Sequence, residues 1–283
     1  TSPITLNVGG GMSFSYGAGA VADLSVPNRP IDLRNSNITI RNQNATHTMT
    51  LGAVSTTTTG AKTLNLGNGG AGGFVVGAIT DGLGSISVAK SGTGIWTISG
   101  DISTTGGVSG SGGTLALGGT NTYIGDTSFY ATTLIFQGAQ SVAPSSKIVM
   151  AQSGNSATGL PEFLDDGTGT VSIPNVLAIR NAQNGGNYSH TIFVGNNSTA
   201  NGGSNAGSTT TGSTIALASM VFDEDERGRG GFPTLYITGA NGYRFQVGDV
   251  TLAWRPGDWA TNTKTLISPT TAPITITGNV TLK

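Results

Sequence analysis

Cysteine is absent from the chain, which excludes disulfides, thiolate metal sites and a cysteine nucleophile. Charge is scarce as well. Asp, Glu, Lys and Arg make up 10% of the residues and the formal net charge is −1, which leaves no electrostatic footprint for a phosphate backbone or an anionic membrane surface. Nucleic acid is not an expected partner. No apolar run approaches the roughly 18 to 20 residues of a membrane-spanning helix, and those present, such as Phe74-Val75-Val76, are strand-sized. No membrane span is expected in this chain. Only His47 and His190 supply imidazole, and neither sits in a metal-binding or nucleophile-activating motif.

What is abundant is glycine, at 46 of 283 residues, together with Thr, Ser and Asn. Such a composition suits many short strands joined by many turns. Val, Ile and Leu recur throughout, which a disordered polar chain would lack. A chain of this length can form one elongated all-β domain. It begins at Thr1 and ends within the strand pattern Asn279-Val280-Thr281-Leu282-Lys283, so a mature product or a piece of a larger precursor is expected.

Alternation with period two appears at once, in Ile4-Thr5-Leu6-Asn7-Val8 and Met12-Ser13-Phe14-Ser15-Tyr16, each a strand with one buried face. Pro27 and Pro30 interrupt it. From Lys62 to Ile98 the strand centres lie near Leu64, Val76, Ser87 and Thr97, about 10 to 12 residues apart. The interval then widens to about 19 residues between Leu115 and Leu134, which is close to the coil length of several solenoids. The twofold relation suggests a coil with two faces. Beyond Met150 the pattern loosens into Asn/Gly/Ser/Thr tracts, Asn181 to Tyr188 and Gly195 to Gly212, expected as surface loops. Residues 1–219 are expected as a β-solenoid with loop insertions and a repeat-like core at 62–150. Residues 220–283 are expected as a less regular, more aromatic cap or subdomain.

Three groups of residues carry a more specific likeness. They are Lys90-Ser91-Gly92-Thr93-Gly94-Ile95-Trp96-Thr97-Ile98-Ser99-Gly100, then Asn121-Thr122-Tyr123-Ile124-Gly125-Asp126-Thr127 after Gly113-Thr114-Leu115-Ala116-Leu117, and Thr133-Leu134-Ile135-Phe136-Gln137-Gly138. Together they resemble the bacterial autotransporter-associated β-strand repeat, also called the passenger-associated transport repeat, over about a fifth of the chain. A Gly/Ser-rich segment from Asp101 to Gly112 displaces the parts relative to the family pattern. The resemblance implies a right-handed parallel β-helix in a secreted or surface-displayed protein, many of whose relatives are adhesins. Composition and spacing also suit antiparallel β-sandwich domains, and the residues leave that alternative open. In a parallel β-helix the aliphatic residues would form inward ladders, Gly and Asn would turn the corners, and Trp96 and Tyr123 would fill core or corner.

Catalytic chemistry finds little to work with. Gly67-Asn68-Gly69-Gly70-Ala71-Gly72-Gly73 lacks the Lys-Ser/Thr and following helix of a phosphate loop. No catalytic or cofactor-binding residue is assigned, and no cofactor is expected. Two carboxylate groups stand out, Glu162/Asp165/Asp166 and Asp223 to Glu226. In a strand Asp223 and Asp225 would share a face and could hold a cation; a solvated loop neutralised by Arg227 and Arg229 is the plainer reading. Trp254 and Trp259 could stack on a surface glycan; core or subunit contact is the plainer reading. Exposed strand edges recruit further strands, which makes Ile4, Leu6 and Val8 at one end, and Ile274, Ile276, Val280 and Leu282 at the other, the candidate assembly residues. The expectation is a non-enzymatic structural protein, extracellular or at the bacterial surface, that associates with itself. A carbohydrate-binding adhesin and, behind it, a polysaccharide lyase or hydrolase are the alternatives.

Overall fold

A computed structural model describes residues 4–6, 13–70, 72–150, 160–180, 189–223, 234–252 and 266–282. The chain divides into two compact units, Thr1–Thr127 and Ser128–Lys283. Each is a right-handed parallel β-helix, in which every strand lies parallel to its counterparts in the coils before and after it. The antiparallel sandwich is thereby excluded. Consecutive strands in sequence turn a corner into a different sheet, whereas the hairpins of a sandwich would pair them with each other.

In the first unit a coil carries three strands. The first face holds Ile4–Leu6, Ile31–Leu33, Val54–Ser55, Ile79–Thr80 and Ile102–Ser103. The second holds Ser13–Tyr16, Asn37–Asn42, Lys62–Gly69, Ile86–Ser91 and Val108–Ser111. The third holds Leu24–Val26, Met49–Leu51, Gly73–Val75, Ile95–Ile98 and Gly113–Leu117. The two-faced coil inferred from spacing is thus corrected to three. The first face escaped notice because its strands at Val54, Ile79 and Ile102 are two residues long, too short to display alternation. Coil length varies from the 27 residues between the partners Ile4 and Ile31 to the 19 between Ile95 and Thr114.

Register turns this topology into a core. Ile31, Val54, Ile79 and Ile102 stack on the first face, Ile38, Leu64, Val88 and Val108 on the second, and Leu51, Val75, Ile98 and Leu117 on the third. All are at most 4% exposed, so each ladder removes a continuous apolar strip from water. The next ladder on the third face shows how size is balanced. It runs Met49, Gly73, Trp96, Leu115; a Cβ on Gly73 would sit 2.5 Å from the Trp96 ring, so the glycine is the space that the indole fills. The Trp96 ring N–H donates to the Gly67 carbonyl at 3.2 Å. The run Asn121 to Thr127 closes the unit by the same means. Asn121 donates to the Gly118 carbonyl while accepting the Ile102 N–H, the buried Tyr123 hydroxyl meets Thr127 Oγ1 at 2.6 Å, and Gly125 approaches the Gly107 backbone too closely for any Cβ.

The second unit stacks two sheets. Ile148–Met150, Thr170–Arg180, Thr214–Asp223 and Arg244–Leu252 form one, and Ile274–Ile276 and Val280–Leu282 both pair with the last of these. Thr132–Gln137, Leu160–Leu164, Ser189–Gly195, Thr234–Gly239 and Leu266–Pro269 form the other. Phe136 and Phe163 stack inside it with ring centroids 5.1 Å apart. Coils here stretch to the 45 residues between Ser189 and its partner Thr234. No helix among the described residues is long and apolar enough to cross a membrane.

Leu117 is fully buried on its ladder against Ile98, so Leu117→Ala should cost about 2–5 kcal/mol of stability. Urea denaturation followed by circular dichroism measures this.

Candidate functional site

A β-helix satisfies its backbone only where a neighbouring coil is present, so its chemically distinctive regions are its terminal coils and its corners. At the start of the first unit Ile4–Leu6 is the last strand of its face, paired on one side with Ile31–Leu33. Val8 lies outside the described residues. The same coil presents Phe14, Tyr16, Leu24 and Val26 on the ladders of Ile40, Asn42, Met49 and Leu51. Those four are partly exposed, whereas the residues stacked on them are at most 1% exposed. Sequence reasoning marked Phe14 and Tyr16 only as strand and missed Leu24 and Val26, since Leu24-Ser25-Val26 is short and sits just before Pro27; alternation was the signal available.

The end of the second unit mirrors this. Ile274, Ile276, Val280 and Leu282 continue the ladders of Phe245, Val247, Val250 and Leu252. Val247 and Val250 are at most 1% exposed, but Ile276 is 38% and Val280 58% exposed, because no described coil covers them. Ile276 and Val280 are therefore core-ladder positions left open by their place in the stack.

The corners explain where the acidic residues go. Asp32 accepts the Thr57 N–H and hydroxyl at 2.8 and 2.7 Å and pairs with Arg34 at 2.8 Å. Asp81 accepts the Thr105 N–H and hydroxyl at 2.8 and 2.7 Å, Asp101 the Thr120 N–H at 2.7 Å, Asp23 the Thr48 N–H at 2.8 Å, and Asp249 the Asn279 N–H at 2.8 Å. Asp23, Asp81 and Asp101 tie corners to the following coil, and Asp32 and Asp249 make the same tie from within the strands Ile31–Leu33 and Arg244–Leu252. Because these partners are a coil length apart, no local motif announces them. Hydrogen bonding to the ionised form favours it: the Thr48 N–H foremost holds the Asp23 carboxyl below its usual range. Burial pushes Asp32 up, but donation from Arg34 and Thr57 outweighs it and the net shift is downward.

Buried asparagines do the matching work on carbonyls. Asn42 donates to the carbonyls of His47 and Gly72, Asn44 to that of Ala20, and Asn175 to those of Ala143 and Ser146. Sequence reasoning gave Asn a positive-φ role at corners; among the described residues only Asn241 has one, at φ 54°. Lys90 occupies an inward position between Leu66 and Gly110 and donates to the carbonyls of Ser91, Gly92 and Gly112 at 3.0, 2.7 and 3.1 Å. Burial lowers its pKa to about 8.

Of the two carboxylate groups, Glu162, Asp165 and Asp166 separate into different roles. Asp165 accepts the N–H groups of Ala139 and Gly167 at 2.6 Å each, and Asp166 accepts Asn197 N–H, Asn205 Nδ2–H and the Ser208 hydroxyl. Glu162 stands on the outer face of its strand, where burial raises its pKa to about 7. Asp223 ends the strand Thr214–Asp223 in register with Arg180; Asp225, Trp254 and Trp259 lie outside the described residues. Among the described residues no three His, Asp or Glu side chains gather as metal ligands. Trp96 and Tyr123 are both wholly buried. His47 Nδ1 lies 3.4 Å from Asp23, while His190 is buried on the ladder of Leu235 and Ile267 with neither ring nitrogen hydrogen-bonded. Burial pushes its pKa down to about 4.

Two acid windows follow. His190 is neutral in folded and unfolded chains above pH 6.5; between there and about pH 4 only the unfolded chain gains the proton, so folding stability falls as pH drops, by at most about 1.4 kcal/mol per pH unit. Glu162 acts with opposite sign from about pH 4.3 to 7, so the His190 contribution is read as the difference between wild type and His190→Phe, which should lose this slope. Asp32, held below its usual value, stabilises above about pH 4 and less as pH falls further. Asp32→Ala should cost about 1–3 kcal/mol at pH 7 and flatten the loss below pH 4 in denaturation midpoints.

Comparison with protein-family models, curated proteins and solved structures finds no match for this chain.

Proposed function

We propose that this protein is a non-enzymatic β-solenoid scaffold, secreted or held at the bacterial cell surface, that associates with copies of itself through its terminal coils. The observation that carries the reading is the last described coil of the second unit, where Ile276 and Val280 sit on core ladders yet remain 38% and 58% exposed. A coil added there would cover apolar side chains and accept the unpaired backbone groups of the edge strand in one step. The first coil, with Phe14, Tyr16, Leu24 and Val26 on its ladders, offers a complementary edge for head-to-tail addition. Parallel pairing gives the strand polarity that such an addition needs.

A structural role also accounts for the carboxylates. Asp23, Asp32, Asp81, Asp101, Asp165, Asp166 and Asp249 all accept hydrogen bonds that tie corners or loops together, an arrangement that stabilises the stack. The surface or secreted location rests on the likeness of Lys90 to Gly138 to the autotransporter-associated repeat, within which Trp96, Tyr123 and Gly125 have packing roles that suit a repeating coil.

Electron microscopy and light scattering of the native protein test this. Concentration-dependent end-to-end assemblies are expected, and Ile276→Asp with Val280→Asp, both at exposed positions that leave the interior intact, should weaken association at least about tenfold, or about 1.4 kcal/mol. Dispersed monomers at every concentration, or unchanged assembly of the double variant, would sink the reading.

A further inference from the structure

The outer face of the sheet built from Thr132–Gln137, Leu160–Leu164 and Ser189–Gly195 carries one row that is unlike the hydroxyl-rich outer rows elsewhere. Ile135, Glu162 and Phe193 are register neighbours across three strands. Ile135 points outward yet is only 6% exposed, so something covers it. The cover is the 3-10 turn Thr199–Asn201 and the residue that ends it, Gly202, which takes a left-handed φ of 82°. A Cβ on Gly202 would sit 3.2 Å from Ile135 Cδ1 and 3.7 Å from Glu162 Oε2; one on Gly195 would sit 3.0 Å from the Phe193 ring and 3.1 Å from Asn201 Nδ2. The turn therefore lies against an aliphatic side chain and a carboxyl group, with Asn201 and the Phe193 ring both close to Gly195.

Around this contact the loop is fastened at its base. Asn197 N–H, Asn205 Nδ2–H and Ser208 Oγ–H all donate to the Asp166 carboxylate. Asn196 donates to the Thr210 carbonyl at 3.0 Å and accepts from Asn201 and Asn241 at 2.6 and 2.7 Å, while Ser213 donates to the Gly167 carbonyl at 2.8 Å. By contrast, the tip rests on Glu162 without a polar contact: no described donor bonds to that carboxyl, and burial alone accounts for its raised pKa. Of the elements packed against it, the two strands present Ile135 and Phe193 and the turn presents Asn201 and Gly202, none of them titratable. The acids that follow on its own segment, Asp165 and Asp166, are engaged with backbone and loop donors.

We propose that the turn Thr199–Gly203 is a pH-responsive cover over this apolar row, closed while Glu162 is protonated and loosened when it ionises. An ionised carboxylate beneath the turn is only partly hydrated and has no donor, whereas lifting the tip hydrates it more fully and leaves the Asp166 anchor in place. The sign is set by the two states. With the turn lifted, Glu162 titrates near the ordinary value of about 4.3; with it closed, near 7. Closure is thus favoured at acid pH, loses up to about tenfold in its equilibrium constant per pH unit between those values, and is level above pH 7.

Hydrogen exchange of the whole protein, corrected for the intrinsic pH dependence of exchange, tests the device. Protection of the Asn201 and Gly203 amides, both of which bond to the carbonyl of Ser198, should fall up to tenfold per unit from pH 5 to 7, while that of Ile215 does not. Glu162→Gln, neutral at every pH, should hold constant protection over the same range. His190→Phe should retain the wild-type fall, which separates this effect from the other group titrating in the window. Constant protection in the wild-type protein, or an equal fall in Glu162→Gln, would overturn the proposal.

Discussion

Backbone hydrogen bonding between successive coils is the constraint on which the rest of this structure depends. A strand of two or three residues, such as Val54–Ser55 or Leu24–Val26, has no stability by itself. It persists because its N–H and C=O groups are met from the coils on either side, and an unmet buried group would cost more than the strand's few side chains return. Parallel register then brings like residues onto one another, so that the interior becomes a set of ladders with no need for a centrally placed core. The same rule makes the ends different in kind. Ile276 and Val280 have the chemistry of Val247 and Val250 and the environment of surface residues.

Corners pose a second problem, because the chain must leave the sheet and its polar groups lose their ladder partners there. This protein answers with side chains. Aspartates accept N–H groups from the neighbouring coil, buried asparagines donate to stray carbonyls, and Lys90 contributes an ammonium to three of them. Scarce charge is thus concentrated in structural ties, where a hydrogen bond to an ionised group is worth roughly 1.5–3 kcal/mol. The exceptions are informative for the same reason. His190 and Glu162 are ionisable groups placed in apolar surroundings without partners, and their shifts run against charge rather than toward it.

Loops differ between the units in consequence. Coils of 19 to 27 residues in the first unit are nearly all strand and corner. In the second, a coil lengthened to 45 residues makes room for insertions such as Asn196 to Gly212. That tract reads in sequence as featureless surface loop, yet it folds back onto the sheet through Asp166, Asn196 and a turn over Ile135. Its order comes from contacts across the coil, which composition does not record.

The sequence by itself determined that the protein is all-β, that its strands have one buried face, and that Trp96 and Tyr123 belong in the core or at corners. Those properties are local: alternation, glycine content and residue size are visible within a few positions. Tertiary structure decided the third face of the coil, the pairing of Asp23, Asp32, Asp81, Asp101 and Asp249 with N–H groups of the next coil, the separation of Glu162 from Asp165 and Asp166, and the burial of His190. Each of these depends on which residues the stack places one coil apart. With coil lengths running from 19 to 45 residues, that offset changes from coil to coil, and only the folded register supplies it.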